Sequence, residues 1–141
     1  MITLALLEQM TSDNVANLVI DKNCFWEQAP LYAEGKPATG VWLVTRGGND
    51  MNSPKGHNLH TTVDFYVAFA NKPKTEAVHQ QILEWLLKNP CFCELAGSVG
   101  GNTYSFKNVR VRPTTTPQNA LITANNLIVK TASAEIIYDI K

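Results

Sequence analysis

The chain has 141 residues, is 45% hydrophobic and 17% charged, and sets 12 basic residues against 12 acidic ones. A domain of this length has a radius of gyration of roughly 14 Å and buries about two-thirds of the surface its unfolded chain exposes. The composition therefore excludes a disordered chain. The zero net charge excludes a dedicated nucleic-acid binder that neutralises many phosphates, and its weak colloidal repulsion suits a protein that spends its life assembled.

At the start, Ile2, Leu6, Leu7 and Met10 recur at helical spacing, and a second short helical stretch after Ser12-Asp13 carries Val15, Leu18 and Val19. The spacing predicts one or two short amphipathic helices. Gly40 opens a β-rich run, Val41 to Thr45, that stops at Gly47-Gly48. Residues 47–59 hold almost nothing that packs inside and many turn formers, which predicts a long, mobile polar loop. From His60 to Ala70 the pattern alternates, with Val63, Phe65, Val67 and Phe69 opposite Thr62, Asp64, Tyr66 and Ala68, the mark of a half-buried strand.

Lys72-Pro73-Lys74 breaks that strand, and Thr75 is expected to cap a helix to about Lys88 with Val78, Ile82, Trp85 and Leu86 as its buried stripe. Asn89-Pro90 ends it. After the turn Gly97 to Asn102 come a strand from about Thr103 to Arg112 and another from Leu127 to Ile140, read as an antiparallel hairpin. A strand of ~13 residues spans about 43 Å, longer than the ~29 Å of the core, so part of the 103–140 hairpin should protrude. The expected fold is a single α+β domain over residues 1–141. Its antiparallel sheet has four or more strands with helices on one face, in the order α-β-β-α-β-β.

Three cysteines, Cys24, Cys91 and Cys93, are an odd count, and the last two lie too close for an unstrained bridge, so all three are read as reduced. Met1 to Met10 lacks a basic lead and is interrupted by Glu8 and Gln9, unlike a signal peptide. No stretch reaches the ~18–20 apolar residues of a membrane helix, so no membrane is expected and the chain is placed in a reducing cytosol.

Candidate chemistry is thin. His57 and His60 stand in HxxH spacing and Cys91 and Cys93 in CxC, but neither matches a CxxC knuckle or a helical pair of imidazoles, so no metal is assigned. Gly97, Gly100 and Gly101 follow a helix and precede a strand, the reverse of a phosphate loop, and no cofactor is assigned. There is no GxSxG. Glu76 and Glu84, eight apart, read as solvated charges, and no enzyme is expected.

Charge is distributed unevenly. Residues 1–100 carry 7 basic and 10 acidic groups, whereas residues 101–141 carry 5 basic and 2 acidic. Arg110 and Arg112 share one strand face, and Lys130 on the paired strand is expected near them. Such a patch meets an acidic partner surface or DNA in transit, or else it blunts an edge strand against aggregation. Trp42, Trp85 and Tyr66 are candidate interface anchors, with Trp85 better explained as core.

The segments Gly40 to Gly48 with a polar loop after it, Thr61 to Ala70 running directly into the helix Glu76 to Lys88, the strand ending Val109 to Pro113 and the last strand Ile128 to Asp139 resemble the tail-terminator (tail-completion, or phage minor capsid) proteins of long-tailed bacteriophages. The resemblance covers nearly the whole chain and is one of architecture and spacing, without an invariant motif. It implies a virion protein of the tail and neck, assembled in the host cytoplasm. Its subunits would form a ring, commonly a hexamer, on the tail tube, stop tube polymerisation, meet the head connector and let genome DNA pass without sequence-specific binding. Under it Arg46, Arg110, Arg112 and Lys130 face a neighbouring subunit or the channel, the former being favoured because a strongly basic channel would hold DNA. The alternatives are another head–tail neck or tube subunit, or a non-viral adaptor that binds peptides by sheet-edge pairing.

Overall fold

The computed structural model describes residues 2–27, 39–48, 56–69, 71–88, 95–96, 103–114 and 129–140. In chain order these form α1 (Ile2–Ser12), a 3-10 turn (Val15–Asn17), β1 (Cys24–Trp26), β2 (Gly40–Gly48), β3 (Gly56–Ala68), α2 (Lys72–Lys88), β4 (Leu95–Ala96), β5 (Thr103–Thr114) and β6 (Val129–Ile140). The fold is α+β, with one sheet in the order β1-β2-β3-β6-β5-β4.

The sheet is mixed, which corrects the purely antiparallel expectation. β1 runs parallel to β2, pairing Cys24 with Val41 and Trp26 with Leu43, while every other pair is antiparallel. β1 and β4 also change the expected element order. Both are too short to show a period in sequence, and they exist because longer neighbours offer ladders to pair with. The polar stretch 47–59 is strand at both ends, since β2 reaches Gly48 and β3 begins at Gly56. Pairing satisfies backbone groups there whatever the side chains prefer; residues 49–55 lie outside the described residues. The described part of the 103–140 hairpin does not stand away from the sheet, because β6 is hydrogen-bonded to β3 on one side and β5 on the other.

One face of the sheet makes the core. Val41 and Leu43 of β2, Leu59, Val63, Phe65 and Val67 of β3, Ala132 to Ile140 at even positions of β6, and Tyr104, Phe106 and Val109 of β5 are all buried in one cluster with both helices. A bulge between Phe106 and Asn108 shifts the inward positions of β5 from even to odd. α1 is not amphipathic in the ordinary sense. Ile2, Thr3, Leu4, Ala5, Leu6, Leu7 and Met10 are all buried, and the helix packs on β1, β2 and β4. Those strands lie at opposite edges of the sheet, so the sheet curls around α1, and a helix enclosed this way must be apolar on most sides.

α2 starts earlier than Thr75. Asn71 caps it, accepting the Lys74 amide on Oδ1 at 2.7 Å, and Pro73 fits the first turn because its missing N–H would have no helical partner. Thr75 is buried and serves the junction instead, its Oγ1 accepting the Phe69 amide at 3.0 Å. The Val78, Ile82, Trp85 and Leu86 stripe is buried as its spacing predicts. Trp85 donates its indole N–H to Asp13 at 2.8 Å, tying α2 to the turn after α1. His79 Nε2 lies 3.0 Å from the Thr131 carbonyl oxygen, which can only accept, so the ring hydrogen sits on Nε2.

Gly40 is required at the start of β2. Its φ of +146° suits glycine, and a Cβ there would lie 2.6 Å from the Asn23 carbonyl oxygen that receives the Val41 amide. No helix among the described residues is long and apolar enough to cross a membrane.

Replacing the fully buried Ile82 with alanine should cost about 2–5 kcal/mol in urea unfolding, whereas Leu87→Ala, at a side chain 65% exposed, should stay within ~0.5 kcal/mol. Burial, then the Asp21 charge, pushes the Cys24 thiol from 9.0 up to about 11. Between those values the folded chain retains a proton that the unfolded chain releases. The Cys24 contribution to stability is thus present below pH 9 and lost as pH rises toward 11. A Cys24→Ala variant should show a smaller loss of unfolding free energy across that range than the parent.

Candidate functional site

The other face of the sheet has no described helix over it, and its composition changes along its length. At one end Phe25 stacks on Trp42 with ring centroids 5.7 Å apart, and with Tyr66 and the buried Ala68 they make a second, small apolar cluster. Trp42 is only 2% exposed, so it anchors this cluster rather than standing free for a partner. Burial, and then the Asp64 carboxylate, raise the Tyr66 phenol above its ordinary value.

Beyond the aromatics the face becomes a belt of paired charges. Register places Arg46, Thr62, Glu135 and Arg110 in one row across β2, β3, β6 and β5, and Val44, Asp64, Ser133 and Arg112 in the next. Directly opposed residues point the same way, so each row presents its side chains together on this face. Asp64 is its most buried acid. Its Oδ2 lies 2.9 Å from Arg46 Nε, and its Oδ1 accepts the Ser133 hydroxyl at 2.6 Å. Arg46 Nη2 reaches the same hydroxyl at 3.5 Å, closing a triangle over three strands. Arg112 Nε stands 3.6 Å from Glu135 Oε1.

A third bracket completes the belt. Lys107 Nζ lies 3.3 Å from Asp139 Oδ2 and donates to Asn58 Oδ1 at 2.8 Å, while the Asn58 amide donates to the other Asp139 oxygen at 2.8 Å. The acids Asp64, Glu135 and Asp139 thus sit on the central strands β3 and β6, and the bases Arg46, Lys107, Arg110 and Arg112 on the flanking strands. Arg110 is exposed, and among the described residues no carboxylate lies within ion-pair distance of it.

The belt brings together three of the four residues singled out from sequence. Lys130 is not among them. It pairs with Val67 and shares the parity of Ala132 and Ala134, which puts it on the helix-covered side, opposite Arg110 and Arg112. Sequence reading missed Asp64, Ser133 and Glu135, whose significance depends on register; the only signal for Asp64 is its polar position in an alternating strand.

A separate arrangement closes one edge of the sheet. Glu27, held at φ 55°, donates its amide to the Leu43 carbonyl at 2.7 Å. Its Oε1 accepts the Thr3 hydroxyl at 2.9 Å, the Thr45 amide at 3.2 Å and the Thr45 hydroxyl. The carboxylate takes the place a next strand residue would hold beside β2.

No group of three or more His, Cys, Asp or Glu able to hold a metal occurs among the described residues. Cys91, Cys93, Gly97, Gly100 and Gly101 lie outside them, whereas Cys24 is a buried free thiol. The arrangement on the belt face holds paired charges with their basic ends exposed, which can meet another charged surface. No protein-family model matches the chain, and no curated protein matches it either.

Removing Asp64 strands a hydroxyl that is nearly buried at Ser133, so Asp64→Ala should cost about 1–3 kcal/mol. Arg46→Ala, at a side chain 65% exposed, should cost under about 1 kcal/mol. Denaturant midpoints of the two variants check this, and equal losses would show that Asp64 is no more than a surface partner of Arg46.

Proposed function

We propose that the chain is a structural, non-enzymatic subunit of the tail-terminator type. It assembles into a ring, commonly of six copies, at the head-proximal end of a phage tail, where it stops tube growth and joins the tail to the head connector. The reading rests on the resemblance of length and spacing along the chain, the passage from β3 into α2 and the closing pair β5 and β6. The observation that carries it is the open face, a charged belt over four strands on the side opposite a self-sufficient core.

A closed ring needs two different patches per subunit, one for each neighbour. The belt supplies one candidate, with Arg46, Arg110 and Arg112 directed outward and their local acids too few to match them. Lys130, on the other side, belongs to a different surface. Pairing of the arginines with acids of a neighbouring copy is preferred to a channel-facing role, because a basic channel would retain DNA by its phosphates. Genome DNA then passes without specific contact.

The aromatic cluster does not suit a nucleic-acid platform. Trp42 is already packed between neighbours, and base stacking requires an exposed ring.

Native mass measurement and negative-stain imaging test the proposal. A discrete ring of about six copies, weakened by R110E and R112E, is expected. A monomer at every concentration would end the ring reading, and long tubes formed by the chain alone would assign it to the tube instead.

A further inference from the structure

The outer side of α2 carries a second ordered set of charges. Thr75, Val78, Ile82, Trp85 and Leu86 turn inward. At about 3.6 residues per turn the opposite line along the helix is Glu76, Gln80, Glu84 and Leu87, and all four are exposed. Gln80 Nε2 lies 3.4 Å from Glu84 Oε1, and Leu87 is 65% exposed. The lysines of the helix stand toward its ends, Lys88 in the last turn and Lys72 and Lys74 in the first, where Lys74 Nζ is drawn aside to 4.7 Å from the Phe69 ring centre. The middle of the outer line is therefore acidic.

Spacing ties this line to the belt. Glu76 and Glu84 are eight residues apart, about 12 Å along the axis at ~1.5 Å per residue. On the other side of the sheet Arg46 and Arg110 end the row Arg46, Thr62, Glu135 and Arg110. Three strand spacings of ~4.8 Å put them about 14 Å apart. The two pairs are opposite in sign and match in separation to within the reach of long side chains. One pair lies on the helix that covers the core and the other on the belt face, so a single subunit cannot join them. Two copies can. A contact between opposite faces is heterologous, leaves the same two faces free at its ends, and repeats until a ring closes.

We propose that the outer face of α2 is the patch that receives the belt of the next copy, with Glu76 and Glu84 laid across its strands opposite Arg46 and Arg110, and Leu87 in apolar contact at the end of the line. The inference rests on the ring reading and adds to it the second surface that a ring requires. Charge also selects the pairing. Helix against helix would set glutamate against glutamate, and belt against belt would set arginine against arginine, so only the head-to-tail contact is favoured.

Carboxyl footprinting of the full chain, with a carbodiimide and an amine, reads the contact without any variant. Glu76 and Glu84 should be labelled several-fold more slowly in the assembled chain than in the diluted monomer. By sedimentation, the helix variant E76R/E84R and the belt variant R110E/R112E should each associate at least about tenfold more weakly than the parent. Mixed in equal amounts, the two should assemble again in alternation, because a reversed helix then faces a reversed belt. A ring in which both glutamates label as fast as in the monomer, a ring that E76R/E84R leaves intact, or two folded variants that do not recover on mixing would overturn the inference and leave the ring reading standing. A parent chain that is monomeric at every concentration would overturn both. Failure of a variant to fold leaves the footprinting comparison on the parent chain to decide.

Discussion

The antiparallel pairing of β3 with β6 is the constraint on which the rest of the structure depends. These strands are the middle of the sheet, and their register sets Phe65 against Ala132 and Val63 against Ala134 under the helices. The same register sets Asp64 against Ser133 and Thr62 against Glu135 on the open face. A slip of one residue on either strand would exchange the faces, driving a carboxylate toward Ile82 and Trp85 and phenylalanine toward solvent. The core and the charged belt are thus two consequences of one alignment.

The belt follows a simple electrostatic order. Acids lie on the central strands, bases on the flanking ones, and each acid is reached from outside by a longer basic side chain. The shorter carboxylates are partly covered while the guanidinium and ammonium groups remain in water, so the surface presented outward is more basic than the local charge count. Individually such pairs contribute little to stability. Their role is to fix where positive charge sits on a surface whose other side carries the fold. At the β2 edge the Glu27 carboxylate ends the ladder by accepting the Thr45 amide.

Period and spacing make much of this legible in the sequence. The alternation around Val63, Phe65 and Val67 and the α2 stripe are strong because each residue faces one environment along a whole element. α1 misled because a helix enclosed by a curled sheet loses its polar stripe. β1 was invisible for a different reason: Cys24 to Trp26 is three residues long, and its parallel partner is far enough along the chain that no turn signal links them. Lys130 was assigned to the wrong side because Ala132 and Ala134, being small, hid the parity that Ile136 and Tyr138 establish. The belt itself could not be read. Asp64, Ser133 and Arg46 come from three strands, and only their alignment makes them neighbours.

The central claim is that this alignment divides apolar from charged residues between the two faces. Cross-strand backbone nuclear Overhauser contacts between β3 and β6 measure it directly. The account predicts contacts that pair Asp64 with Ser133 and Thr62 with Glu135. Contacts pairing Asp64 with Ala132 or Ala134 would place the carboxylate on the helix side and contradict it.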